Sequence, residues 1–263
     1  PPPHPPFHPH LSLPGRFVPR DEETVAEICA EIEGPVETPF EGGVFHVKLV
    51  LGQAASHFEV VLEENSRQPF KNVMPLAEEY GIPVGIENHQ DFCSWELLAL
   101  SEKVGSPQLG VTMDVGNAFA VGEHPQAFAK RILPILKHVH IKDYTVHPTP
   151  SGYRLKRCPI GNGVVDWPAI IALFDREVPE VQGCIELGAS VARHFRLLTE
   201  EWWATFPDRP LAETINAIRA LHQAAQSPND WQTPHEREEN ASVRVDYELE
   251  QFQHSVTYVK NAL

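Results

Sequence analysis

The chain has no CxxC pair, few basic residues and no apolar run near the roughly 18 residues that cross a bilayer. Each absence removes a class of function. The four cysteines, Cys29, Cys93, Cys158 and Cys184, are too scattered for a zinc knuckle or a disulfide framework, so a reducing cytoplasm is the expected location. Lys and Arg number 21 against 36 Asp and Glu, a formal charge of −15 that opposes binding to phosphate backbones and anionic lipid. Neither nucleic acid nor membrane is an expected partner. The opening residues show no signal-peptide pattern.

With 263 residues, 42% of them hydrophobic, the chain can bury the core of one large α/β domain. Residues 1–20, "PPPHPPFHPHLSLPGRFVPR", hold too much proline for helix or ladder and read as a disordered tail. Its His4, His8 and His10 are given no function. From Asp21 onward helical and strand patterns alternate. "DEETVAEICAEIE" leads to "GVFHVKLVLG", and "PFKNVMPLAEEYG", closed by Gly81, leads to "IPVGIEN". "SWELLALSEKVG" then precedes "LGVTMDVGN", "HPQAFAKRILPIL" precedes "KHVHIKDY", and "DWPAIIALFDREVP", with Asp166 as N-cap, precedes "QGCIELG". Such alternation predicts a parallel sheet wrapped by helices.

Period two divides the last four strands into faces. One face carries Val84 and Ile86, Val111 and Met113, Val139 and Ile141, Ile185 and Leu187. The other carries Gly85 and Glu87, Thr112 and Asp114, His138 and His140, Cys184 and Glu186. A parallel sheet covered on both faces is apolar on both, so the polar face requires a reason. A closed barrel supplies one, because its inner face converges at the C-terminal rim where (β/α)8 active sites lie. Taken singly, Asp114 fits a turn, Glu87 and Glu186 fit rim ion pairs, and His140 fits a core histidine. Together, three carboxylates without a cation would repel one another and rise in pKa, a cost that a divalent metal removes.

The ordered set "IENH", "MDVGN", "HIKD", "IGNGVVDW" and "IELG" resembles the xylose isomerase-like TIM-barrel superfamily, in particular its sugar phosphate isomerase/epimerase branch. The likeness covers about residues 44–190 plus "YELEQFQHSVTYVKNAL" as closing helix. It implies one divalent ion, most often Mn²⁺, with Mg²⁺, Co²⁺ or Zn²⁺ as alternatives, on Glu87, Asp114, His140 and Glu186. Three oxygens and one imidazole nitrogen suit such an ion and leave positions for two substrate oxygens. The implied activity is isomerisation or epimerisation of a small sugar, sugar phosphate or polyol. Glu87 and Glu186 are the expected catalytic pair, one abstracting and the other returning a proton through a metal-stabilised enediolate. Expected substrate contacts are His89, Asn117, Lys142, with Asp143 as its alternative partner, and Arg157, placed in a loop before "IGNG". Gly161 and Gly163 are expected to shape a turn rather than to cradle phosphate.

An inosose or dehydroshikimate-type dehydratase is the alternative on the same fold, since the same intermediate can expel a β-hydroxyl. An apurinic-site endonuclease is disfavoured by charge, by Asn117 where a ligand histidine would stand, and by "LKRCPIG", which lacks the expected aspartate and histidine. If Glu87 lies on strand five, the eight-stranded barrel needs about 80 residues before Val44 at ~25–30 residues per unit. About five βα units are therefore expected, in an N-terminally incomplete barrel over residues 21–263 with an edge at 44–50, and a catalytically inactive barrel is a further alternative. Residues 196–240 form an expected insertion, either a lid whose Trp202, Trp203 and Phe206 cover a sugar or a packed excursion anchored by them. A homo-oligomer is compatible with all of these readings.

Overall fold

The computed structural model describes residues 45–46, 68–186, 191–204, 206 and 208–262. The tail over 1–20, the helix over 21–33 and most of the strand over 43–52 lie outside them. Five parallel strands form one sheet in the order β1 (Phe45–His46), β2 (Val84–Glu87), β3 (Leu109–Asp114), β4 (Leu136–Ile141) and β7 (Gln182–Ile185). Among the described residues β1 is one edge and β7 the other. Between the strands run α1 (Gln68–Glu79), α2 (Ser94–Val104), α3 (Pro125–Ile132) and α4 (Trp167–Glu177). These are the helices that the alternation predicts.

Local chemistry sets their ends. Gly81 and Gly105 take left-handed φ values of 64° and 73° just past α1 and α2. At the start of α2, Glu96 reaches back to the Cys93 amide at 2.8 Å, and Asp166 accepts from Ala169 N at 3.2 Å to open α4. Trp167, Ile170 and Phe174, at helical spacing, pack into the core beneath the sheet. Val84, Ile86, Val111, Met113 and Val139 meet them from the strands. Burying each such side chain stabilises the fold by about 1.5–3 kcal/mol.

One irregularity aligns the inner face. Val111 pairs with Leu136, but Thr112 pairs with His138 and Asp114 with His140, so Lys137 is an extra residue on β4. A one-residue slip exchanges the faces of a strand, and without this bulge Asp114 would stand opposite Val139. Gly110 permits the close approach, since a Cβ there would strike the Ile135 carbonyl.

The stretch after β4 departs from the expected loop. Asp143 opens a second, antiparallel sheet of β5 (Asp143–Thr149), β6 (Gly152–Cys158) and β8 (Arg193–Phe195). Arg157 therefore lies on strand β6, not in a loop. Tyr144 and Val146 on β5 and Tyr153 and Leu155 on β6 alternate inward onto Phe195, Leu197, Ala217 and Leu221, a second core that a polar loop would not supply. Within the expected insertion run α5 (Glu200–Trp203) and α6 (Leu211–Gln223), and the last helix, α7 (Ala241–Ala262), starts earlier than the expected closing helix. Trp202 donates to Ala120 O and Trp203 to Leu197 O, both at 3.0 Å, and Phe206 packs against both indoles.

Asp143 ties the two sheets together. Its Oδ1 accepts from Tyr144 N and Val165 N, and its Oδ2 from Gly161 N, Gly163 N and Trp167 Nε1, all within 2.9–3.2 Å. The "IGNG" turn thus closes over a carboxylate of the chain itself, and a Cβ at Gly163 would collide with it. Replacing Asp143 by Ala strands five donors and is expected to cost on the order of 3–5 kcal/mol in urea unfolding. A loss below about 1 kcal/mol would show that the knot does not hold this turn.

Candidate metal centre

Glu87 ends β2, Asp114 ends β3, His140 sits on β4, and Glu186 follows β7, its amide donating to Ile141 O at 3.1 Å. The ladder places Asp114 beside His140 and His140 beside Cys184. One donor atom from each of Glu87, Asp114, His140 and Glu186 lies within 4.8 Å of the others. Four donors at that spacing can converge on one ion at ordinary ligand distances of about 2.0–2.6 Å.

Cationic neighbours surround the carboxylates. Lys142, only 2% exposed, contacts Asp114 Oδ2 and lies 2.9 Å from Glu186 Oε2. The Asp143 pairing weighed for Lys142 is not formed, because the amides above occupy Asp143. His140 Nδ1 is 3.0 Å from Glu186 Oε2 and 3.8 Å from Glu87 Oε1, and Arg157 Nη2 is 3.1 Å from Glu186 Oε1. Burial alone would raise the Glu186 pKa, but the His140 hydrogen bond and the Lys142 and Arg157 charges hold it well below the usual carboxylate range. Burial would lower His140, yet the neighbouring Glu186 and Glu87 carboxylates raise it to about 9. Asp114 is pushed up to about 6 by burial, with Lys142 opposing and Glu186 adding to the rise.

An amide network fixes Asp114. Its backbone N donates to Asn88 Oδ1 at 2.7 Å, and Asn88 Nδ2 donates to its carbonyl at 3.0 Å. Asn117 Nδ2 donates to Asp114 Oδ2 at 2.6 Å and accepts, through Oδ1, from the Tyr144 hydroxyl at 3.1 Å. With Oδ2 so engaged, Asp114 Oδ1 is buried and accepts no hydrogen bond from any of the described residues. A completely buried carboxylate oxygen in that condition is costly unless a cation answers it. The donor set therefore fits a hard to borderline divalent ion.

The structure brings the four expected ligands together with Lys142, Arg157 and Asn117. His89 Nε2 lies 3.5 Å from Arg193 Nη2 on β8. Asn88, Tyr144 and Arg193 are contributors that the sequence reading did not single out. Asn88 was legible within "IENH", and the alternation of Tyr144 and Val146 signalled a strand; nothing in the sequence marked Arg193.

Residues 11–226 match the family described as xylose isomerase-like TIM barrel, and the chain belongs to that family. Its fold is accordingly the (β/α)8 TIM barrel, of which the described residues show five parallel strands. Over 100 residues the chain is 29% identical to a 3-oxo-isoapionate decarboxylase from Pectobacterium atrosepticum, covering 37% of this chain and 36% of that protein. The chain thus spans little more than a third of that curated relative. A solved D-tagatose 3-epimerase-like protein is similar with a TM-score of 0.42 and 20% identity, over 69% of this chain and 60% of that one. A short likeness of another kind, 54% identical over 33 residues, relates 12% of this chain to 16% of a ubiquitin-conjugating enzyme E2 S from Nematostella vectensis.

The charges set the pH dependence of cation binding. His140, with a pKa near 9, must shed its proton before Nδ1 can bind an ion, and below about 6 Asp114 must shed one too. Mn²⁺ affinity measured by calorimetry is expected to rise about tenfold per pH unit between pH 6 and 9, and more steeply below 6. Affinity independent of pH over that window would contradict coordination by His140.

Proposed function

We propose that the chain is a divalent-metal-dependent isomerase or epimerase of a small sugar, sugar phosphate or polyol. The observation that carries this reading is the convergence of Glu87, Asp114, His140 and Glu186 around a buried carboxylate oxygen that has no hydrogen-bond partner among the described residues. One divalent ion, Mn²⁺ first and Mg²⁺, Co²⁺ or Zn²⁺ as alternatives, would supply a Lewis acid to polarise a substrate carbonyl.

The remaining work falls to side chains. Glu87 ends β2 and Glu186 directly follows β7, with β3 and β4 between them, so they approach a substrate from different sides. One carboxylate takes the proton from the carbon beside the carbonyl, and the other returns a proton to the opposite face or to the former carbonyl carbon. Lys142 and Arg157 hold Glu186 ionised and steady the negative charge that develops on substrate oxygen. Arg157 Nη1, buried and without a hydrogen-bond partner among the described residues, is a donor for a substrate hydroxyl or phosphate oxygen. Asn117 acts through Asp114, and His89 with Arg193 offers a further contact for the substrate.

A lyase reading rests on the decarboxylase relative. Loss of carbon dioxide from a 3-oxo acid, or of a β-hydroxyl from a keto-polyol, also passes through an enolate that this charge arrangement would hold.

The test is exchange of ketose α-protons in deuterated water with Mn²⁺, followed by NMR. Wild-type protein is expected to exchange, and Glu186→Gln to lose at least about a hundredfold in rate while retaining the ion. Undiminished exchange in Glu186→Gln would remove it as a proton carrier. Product lacking the elements of water or carbon dioxide, rather than an isomer, would decide for the lyase.

A further inference from the structure

A second group of donors lies one step deeper on the same inner face. His138 and His140 project from β4 two residues apart, and Cys184 is the ladder partner of His140 on β7. One donor atom from each of the three lies within 4.8 Å of the others. His138 Nε2 stands 3.3 Å from Cys184 Sγ, and the two imidazoles meet edge to face with centroids 5.6 Å apart.

We infer that His138, His140 and Cys184 form a second cation site, selective for a thiophilic ion of the Zn²⁺ class and separate in its chemistry from the carboxylate set. Around a tetrahedral ion with bonds of about 2.0–2.3 Å, neighbouring nitrogen and sulfur ligands lie about 3.3–3.8 Å apart, so the His138–Cys184 pair already has ligand spacing. The softness of the donors decides the ion. Two imidazoles and a thiolate favour Zn²⁺, Cd²⁺ or Co²⁺ over Mn²⁺ and Mg²⁺, which the oxygen-rich set prefers. Three protein ligands leave a fourth position for water. Cys184 is exposed, giving the ion a path from solvent, whereas His138 is only 6% exposed and fixes the inner wall. Binding releases the thiol proton to solvent as the sulfur–metal bond forms.

His140 belongs to both groups. Two divalent cations bound through one imidazole repel each other, so occupancy of either site weakens the other, and the coupling is reciprocal. On the reading of the carboxylate set proposed above, a thiophilic ion at Cys184 is an inhibitor that acts by drawing His140 away.

Cobalt provides the test. Titration of reduced protein with Co²⁺ is expected to produce a thiolate-to-cobalt charge-transfer band in the near ultraviolet. Cys184→Ser should abolish the band, His138→Asn should weaken Co²⁺ binding at least about tenfold, and Asp114→Asn, outside this group, should keep the band. Absence of the band in the wild type, its persistence in Cys184→Ser, or its loss in Asp114→Asn would overturn the site. Addition of Zn²⁺ to Mn²⁺-loaded protein should release Mn²⁺, seen as the free-ion EPR signal, from the wild type but not from Cys184→Ser. Failure of the protein to take up Mn²⁺ at all would defeat the carboxylate reading alone, because the cobalt band is judged without it.

Discussion

Three carboxylates crowded at the rim of a sheet must be neutralised, and nearly everything around them answers that requirement. Glu87, Asp114 and Glu186 face Lys142, Arg157 and a His140 that burial alone would discharge but that its contacts with Glu186 and Glu87 hold protonated up to about pH 9. Three negative groups meet three positive ones. The imidazolium is raised to about 9, and Arg157, which burial would lower, is held above its ordinary value by Tyr144, Glu186 and Asp114. The proton on His140 is thus the natural competitor of a divalent ion, and exchanging one for the other keeps the cluster close to neutral.

The scaffold delivers these charges from two sheets. The parallel sheet supplies the four ligand-type side chains, and the bulge at Lys137 keeps His138 and His140 on the face of Asp114. The antiparallel sheet supplies Arg157 directly and, through the Tyr144 hydroxyl and Asn117, a brace on Asp114 Oδ2. Asp143, gathering five donors, fixes the junction where the chain leaves one sheet for the other. Lys142, one residue before that junction, inherits its position from it.

Much of this was legible because alternation in a half-polar strand is a strong signal. Glu87, Asp114, His140 and Glu186 fall at the same phase of four strands, and that phase is preserved in three dimensions. The bulge was hidden, since it is a property of pairing between strands and leaves no mark on either strand alone. The hairpin of residues 143–158 is hard to read because its strands follow β4 after a single residue and carry Arg154, Lys156 and Arg157, which resemble a solvated loop. Its buried members, Tyr144, Val146, Tyr153 and Leu155, show the period of two only when the segment is taken as two strands. Partner choice was the least readable feature: Lys142 sits beside Asp143 in sequence, yet it pairs with Asp114, 28 residues away, because Asp143 already accepts from four backbone amides and the Trp167 indole.

The measurement closest to the central claim is the anomalous scattering of crystals grown with Mn²⁺. The account predicts one peak about 2.0–2.6 Å from a carboxylate oxygen of each of Glu87, Asp114 and Glu186 and from Nδ1 of His140, with Asp114 Oδ1 as the aspartate ligand. A peak that leaves out Asp114 or His140, or no peak with the six charged side chains still paired to one another, would contradict it and leave the cluster a structural ion network.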